Sequence, residues 1–160
     1  MITDIIIALW VAFLIILVVS MFTHKDADLK FLNFEKMDIP YVTIDIQGVK
    51  CNMIIDSGSG VSIFDENFFL HSGIIYTSTN KAVDVTGIEG NEKTMNIISV
   101  SFKFSGRTLT EEFSIHDCTP MFMNFKELYG IEIHGILGSS FFNKYDSIID
   151  YQKLCINIPN

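Results

Sequence analysis

Met53-Ile54-Ile55-Asp56-Ser57-Gly58-Ser59 decides how this chain is read. An apolar strand delivers a carboxylate at the point where the strand must turn. Glycine behind Asp56-Ser57 lets the backbone turn tightly and approach a neighbour. Upstream, Val42, Ile44 and Ile46 share one face of an alternating segment, Gln47-Gly48 turns, and Val49, Cys51, Met53 and Ile55 continue the alternation into Asp56. Far downstream stands Ile136-Leu137-Gly138, an apolar pair closed by glycine ahead of a predicted short helix in which Ser139 or Ser140 can serve as cap.

Between these segments the pattern is mostly that of strands. Ser62-Ile63 suits a short strand, and residues 65–71 suit one or two helical turns, with acids in front and Gly73 behind. Val83 to Ile97 reads as two strands joined through Gly87, Ile88 and Gly90. Ile98, Val100, Phe102 and Phe104 alternate, Ser105-Gly106 turns, and Leu109, Phe113 and Ile115 return as another hairpin. Residues 119–130 are less regular, and Met121, Phe122, Met123 and Phe125 are read as core. Ile148-Ile149 and Leu154-Ile156-Ile158 form a last hairpin, with Asp150 a solvated acid in its turn.

The Asp56-Ser57-Gly58-Ser59 and Ile136-Leu137-Gly138 pair resembles the aspartic protease family, in its single-domain, retropepsin-like branch. The resemblance covers roughly Ile39 to Ile158. It implies an all-β, retropepsin-like barrel with one or two short helices. It also implies that Asp56 is catalytic, that Ser57, Gly58, Ser59, Ile136, Leu137 and Gly138 support the active-site loop, and that Gly87, Ile88 and Gly90 form a flap over an extended polypeptide substrate. In the family the first hydroxyl, here Ser57, bonds across a two-fold axis, and the second, here Ser59, bonds the catalytic carboxylate. One Asp motif per chain implies a homodimer, because amide hydrolysis by this chemistry needs two carboxyls sharing one proton. A membrane-tethered peptide-binding or dimerisation module with the same fold and no turnover is the alternative.

The 160 residues hold one domain and an appendage. Ile5 to Phe22 is an apolar run broken only by Ser20, and at about 1.5 Å per residue it covers about 27 Å. With no Lys or Arg in front of it and Met21-Phe22-Thr23-His24 behind, it suits an uncleaved transmembrane helix better than a secretory signal. The expected organisation is an anchor at residues 1–23 meeting the lipid membrane through residues 5–22, a stalk at 24–38 partly packed on the domain through its apolar residues, and a protease domain at 39–160. Lys25 and Lys30 behind the anchor lean toward a cytoplasmic domain. Cys51, Cys118 and Cys155 lack metal-type spacing and imply no disulfide framework. The four histidines show no metal pair either, so neither metal nor organic cofactor is expected. A net charge of −8 argues against a nucleic-acid surface.

Overall fold

Many of the strands form where apolar side chains recur at every second position. A computed structural model describes residues 10–15, 27–30, 39–86, 92–104 and 107–159. Strands β1 (Ala27–Lys30), β2 (Tyr41–Ile46) and β3 (Val49–Ile55) are followed by β4 (Ser62–Asp65) and helix α1 (Glu66–Ser72). Then come β5 (Thr77–Thr86), β6 (Glu92–Phe104), β7 (Arg107–His116) and helix α2 (Thr119–Tyr129). Strand β8 (Gly135–Leu137), helix α3 (Ser139–Lys144), β9 (Ile148–Asp150) and β10 (Cys155–Ile158) complete the order.

Seven strands form one sheet in the order β2-β3-β8-β4-β7-β6-β5, and β1-β10-β9 form a second. The β2–β3 hairpin pairs Ile46 with Val49 around Gln47 and Gly48, whose φ values of 56° and 88° are those of a two-residue primed turn. Strand β8 lies in the centre. It runs parallel to β3, with Ile54 opposite Ile136 and Ile55 opposite Leu137, and antiparallel to β4, with Ile63 opposite Ile136. Strand β4 in turn runs parallel to β7.

Central strands are covered on both faces, which is why Met53-Ile54-Ile55 and Ile136-Leu137 are continuous rather than alternating apolar runs. Ile55 and Leu137 belong to the larger core with Phe64, Phe113, Phe141 and Ile156. Ile54 and Ile136 face the other way, into a smaller core with Ile63, Phe122, Ile131 and Ile133. The rings of Phe64 and Phe113 meet at a tilt with centroids 4.2 Å apart, and each is fully buried, a placement that stabilises by about 1.5–3 kcal/mol per side chain.

Three expectations change. Residues 119–129 are a helix, with Pro120 in its first turn and Gly130 ending it at φ 67°. Phe122 is buried in it and Phe125 packs partly, whereas Met121 and Met123 are exposed, so this cluster is core on one side only. Second, the stretch read as a stalk contains β1, which pairs with β10 from Ala27 opposite Ile158 to Lys30 opposite Cys155. Backbone pairing there satisfies an edge that β10 would otherwise expose. Third, α3 carries no side-chain cap. The hydroxyls of Ser139 and Ser140 bond elsewhere, as described below.

Cys51, Cys118 and Cys155 are buried free thiols. Burial pushes the Cys51 thiol up to about 12, as suits a small core side chain. Of the run from Ile5 to Phe22, residues 10–15 are helical, and the rest lies outside the described residues, as does most of the stalk. No helix among the described residues is long and apolar enough to cross a membrane. Gly87, Ile88 and Gly90 also lie outside the described residues, and β5 and β6 approach that tip as a paired hairpin, Thr86 opposite Glu92.

Candidate active site

The parallel pairing of β3 with β8 brings the two sequence motifs together. Asp56 leaves the end of β3 with its N–H bonded to the carbonyl of Leu137 at 3.1 Å. The chain then turns through Ser57 and Gly58, and Ser59 N–H returns to the Asp56 carbonyl at 3.2 Å. Gly58 N–H donates to Asp56 Oδ1 at 2.9 Å. Asp56 is half-buried, and Ser57 and Gly58 beside it are exposed.

Gly138 locks this loop from the other side. A Cβ there would stand 2.3 Å from the Val61 carbonyl oxygen and 2.8 Å from that of Ser59, so no side chain fits. Just past it, Ser139 donates twice to the Ser59 carbonyl, from N–H at 2.7 Å and from Oγ at 3.0 Å. Gly138 N–H itself donates to Ser62 Oγ at 3.1 Å. The two loops thus cross with their backbones in contact, and the crossing fixes where the Asp56 carboxylate leaves the sheet.

Asp56, Gly58, Ser59, Ile136, Leu137 and Gly138 therefore meet at one crossing. Ser59 differs in detail. Its hydroxyl donates to the Val61 carbonyl at 2.7 Å, a local turn two residues long, and the donor on the Asp56 carboxylate is the Gly58 backbone instead.

One residue of this region escaped the sequence reading. Glu111 on β7 is 1% exposed, directly beneath the crossing. Its Oε1 accepts hydrogen bonds from Ser62 Oγ and Ser140 Oγ, each at 3.1 Å, and Lys144 Nζ lies 3.7 Å from Oε2. Burial raises its carboxyl above the ordinary glutamate range, against the opposing influence of Lys144 and the two hydroxyls.

A separate pocket of about 240 Å³ opens between α1 and α2, lined by Asp65, Phe68, Phe122, Lys126 and His134 among others. It includes no residue of the Asp56 loop. His134 stacks on Phe68 at 4.1 Å, and its Nδ1 accepts the Asn52 N–H at 2.9 Å. Burial holds its imidazole below the ordinary histidine value. Among the described residues, no group of three His, Cys, Asp or Glu side chains could hold a metal ion.

Comparison with known proteins agrees with this geometry. The family profile described as "Aspartyl protease" matches residues 42–141, which include both motifs and the crossing. The fold is similar to that of a retropepsin-like aspartic protease from Rickettsia conorii, at a TM-score of 0.51 and 15% identity, covering 83% of this chain and 89% of that one. The retroviral protease-like domain of Ddi1 from Leishmania major is also similar, at a TM-score of 0.44 and 16% identity, over 74% of this chain and 90% of that one. No curated protein matches the sequence significantly. A family match over most of the chain, spanning both the Asp56 loop and its Gly138 lock, establishes that this chain belongs to the aspartyl protease family.

Proposed function

We propose that the protein is an aspartic endopeptidase that works as a homodimer, with one Asp56 from each protomer facing a shared water. The observation that carries this reading is the Asp56 carboxylate itself, half-buried at a strand end, with a backbone N–H on one oxygen and a loop locked at Gly138. A carboxyl held this way is fixed in position without being enclosed. Two of them facing each other cannot both ionise cheaply, so the pair shares one proton.

The chemistry follows from that shared proton. The ionised carboxylate accepts a proton from water while the water oxygen bonds to the scissile carbonyl carbon. The protonated carboxyl gives its proton to the carbonyl oxygen, yielding a neutral tetrahedral diol. The intermediate then collapses: one hydroxyl returns its proton, the C–N bond breaks, and the departing nitrogen is protonated. Water is consumed, and no cofactor is required. Substrate lies extended, pairing through its backbone with the β5–β6 hairpins, its side chains pointing alternately into pockets. The apolar run at residues 5–22 supports a single-pass anchor, with Lys25 and Lys30 favouring a cytoplasmic domain. Such an anchor would concentrate protomers for pairing.

Digestion of a peptide library by the wild type and by Asp56→Asn, followed across protomer concentrations, tests the reading. Cleavage should require Asp56, and specific activity should fall on dilution as the dimer separates. Turnover by Asp56→Asn comparable to wild type would exclude the mechanism. Undiminished activity from a sedimenting monomer would exclude the homodimer.

A further inference from the structure

We propose that the pocket between α1 and α2 is a second binding site, at the far end of β8 from Asp56, and that it takes the phenol ring of a tyrosine carried by a polypeptide. Its occupancy does not depend on whether Asp56 cleaves anything.

The place follows from the topology. Strand β8 runs only from Gly135 to Leu137, with His134 just before it and Gly138 just after. At about 3.3 Å per residue, His134 in the pocket wall and Gly138 at the crossing stand about 13 Å apart along this strand. The pocket measures about 240 Å³. A cavity of about 150 Å³ can hold benzene, so there is room for one six-membered ring with its substituent. Sites for whole small molecules are larger, at about 300–1,000 Å³. The lining suits a ring: His134 stacks on Phe68 with centroids 4.1 Å apart, and Phe122 and Ile133 are buried apolar neighbours.

The polar atoms of the wall select the substituent. Asn52 N–H donates to His134 Nδ1 at 2.9 Å, and a backbone N–H cannot reverse its role. Nδ1 is therefore bare, and in the neutral ring the hydrogen sits on Nε2. The carboxylate oxygen facing that N–H is Glu132 Oε2, 4.0 Å away and beyond hydrogen-bonding distance. With the imidazole only 12% exposed, water serves this donor poorly. Glu132 Oε1 already accepts from Lys126 Nζ at 3.1 Å, so Oε2 is the oxygen left to accept. A donor and an acceptor spaced in this way are joined by one group that plays both parts. A hydroxyl oxygen about 2.8 Å from each would close the gap at an angle of about 90°. A carboxylate in its place would accept from His134 but repel Glu132, and an ammonium would meet a second donor at His134. The hydroxyl on an aromatic ring satisfies both walls at once.

The mouth points to the source. Met123, Lys126 and Glu132 are exposed, so an occupant extends out of the pocket rather than being enclosed. Leu70, 69% exposed, stands three residues along α1 from Asn67 of the lining, which makes the two neighbours on the helix surface. Leu70 and Met123 thus offer apolar surface beside the pocket. A free phenol would leave that surface bare, and residues flanking a tyrosine would cover it.

Methionine-methyl resonances of the full chain test this, because Met123 lines the pocket and Met95, buried on β6, reports the hairpin over the substrate cleft instead. The titrations use Asp56→Asn so that no peptide is consumed. N-acetyltyrosinamide should move the Met123 resonance saturably, with half-saturation on the order of a millimolar. N-acetylphenylalaninamide, which lacks the hydroxyl, should bind about tenfold more weakly. Glu132→Ala, at an exposed position, should lower the tyrosine compound to the level of the phenylalanine compound and leave the latter unchanged. A seven-residue peptide with a central tyrosine between leucines should bind about tenfold more tightly than 4-methylphenol. Equal affinity for the tyrosine and phenylalanine compounds, or a tyrosine preference that survives Glu132→Ala, would overturn the role given to the hydroxyl. Equal affinity for the peptide and 4-methylphenol would refute a polypeptide source. Shifts at Met95 alone would assign the compounds to the Asp56 cleft, and no saturable shift at Met123 with any of them would remove the second site altogether.

Discussion

Asp56 and Asp65 stand at the ends of two apolar strands, β3 and β4, that flank β8 on opposite sides. Their surroundings differ sharply. Asp65 is 6% exposed, caps α1 by accepting Phe68 N–H at 3.0 Å, and accepts Cys118 N–H at 2.9 Å on its other oxygen. Thr119 Oγ1 adds a longer contact at 3.4 Å. Asp56 is half-buried, and among the described residues its carboxylate takes one backbone N–H, that of Gly58. An aspartate whose two oxygens are filled by backbone donors is committed to holding a helix and a loop in place. One that is fixed through one oxygen keeps lone pairs for water and a proton. The same residue type at the same kind of strand end is thus filled with donors at Asp65 and left open at Asp56.

The largest effect that could break this contrast is at Asp56. Asp56→Asn keeps the Gly58 N–H bond and the volume but cannot carry the shared proton. Cleavage should fall by about a thousandfold or more, in the range that general acid–base groups supply, while the melting temperature stays within a degree or two of wild type. A large loss of stability would instead make Asp56 a structural group like Asp65. Next in size is the lock itself. Gly138→Ala would push a methyl group against backbone oxygens of Val61 and Ser59, neither of which can swing aside as a side-chain tip would. Overpacking of that kind should cost about 3 kcal/mol by chemical denaturation and lower activity per folded molecule as well, since the Asp56 loop must shift. An unchanged denaturation midpoint would mean that the crossing is looser than the contacts imply.

How much of this was legible in the sequence follows from the same physics. Strand ends are written locally: Ile54-Ile55-Asp56 and Ile136-Leu137-Gly138 announce themselves by continuous apolar residues closed by a turn former. The β2–β3 hairpin was equally plain, because Gln47-Gly48 fits a turn with two positive φ values. That β3 and β8 run side by side is a non-local fact, and no periodicity states it; only the family resemblance joined the two. Glu111 was missed although its position was readable. It falls between Leu109 and Phe113 on the inward parity of β7, and a charged residue on the buried face of a strand is a signal in itself. Helix α2 was obscured because Met121 and Met123, on its outer side, blurred the spacing of Phe122, Phe125 and Tyr129. Strand β1 has only four residues and no pattern, so its pairing to β10 is dictated by the partner rather than by its own sequence.

Asp65→Asn makes the direct counterpart to the change at Asp56. Asparagine has one acceptor oxygen where Asp65 uses two, so either Phe68 N–H or Cys118 N–H must face an amide NH₂. The loss should be about 2 kcal/mol, combining a weakened helix cap with one buried donor left unsatisfied. Activity per folded molecule should remain near wild type. The pair of substitutions, identical in chemistry, should therefore exchange outcomes: activity without stability at one strand end, stability without activity at the other. Equal losses of activity at both would show that the two ends are mechanically coupled through β8.

The smallest effect is a pH dependence confined to the Asp65 end. The His134 carbonyl accepts the Asp65 N–H, and its ring Nδ1 accepts the Asn52 N–H, which a neutral imidazole can do and a protonated one cannot. Burial depresses its pKa below 6.5, with Glu132 and Asp65 pulling weakly the other way. A histidine with a depressed folded value binds fewer protons folded than unfolded. Its contribution is therefore complete above pH 6.5 and is lost as pH falls through the folded value. His134→Phe keeps an aromatic ring against Phe68 but leaves the Asn52 N–H without its acceptor, at a cost of about 1 kcal/mol at neutral pH and above. That gap should narrow below pH 6.5, because wild type loses stability there through His134 and the variant does not. Chemical denaturation of both proteins at about pH 8 and pH 5 measures it. A gap of the same size at both pH values would mean that His134 holds β3 to the Asp65 end without sensing protons, leaving any acid loss of stability to other groups.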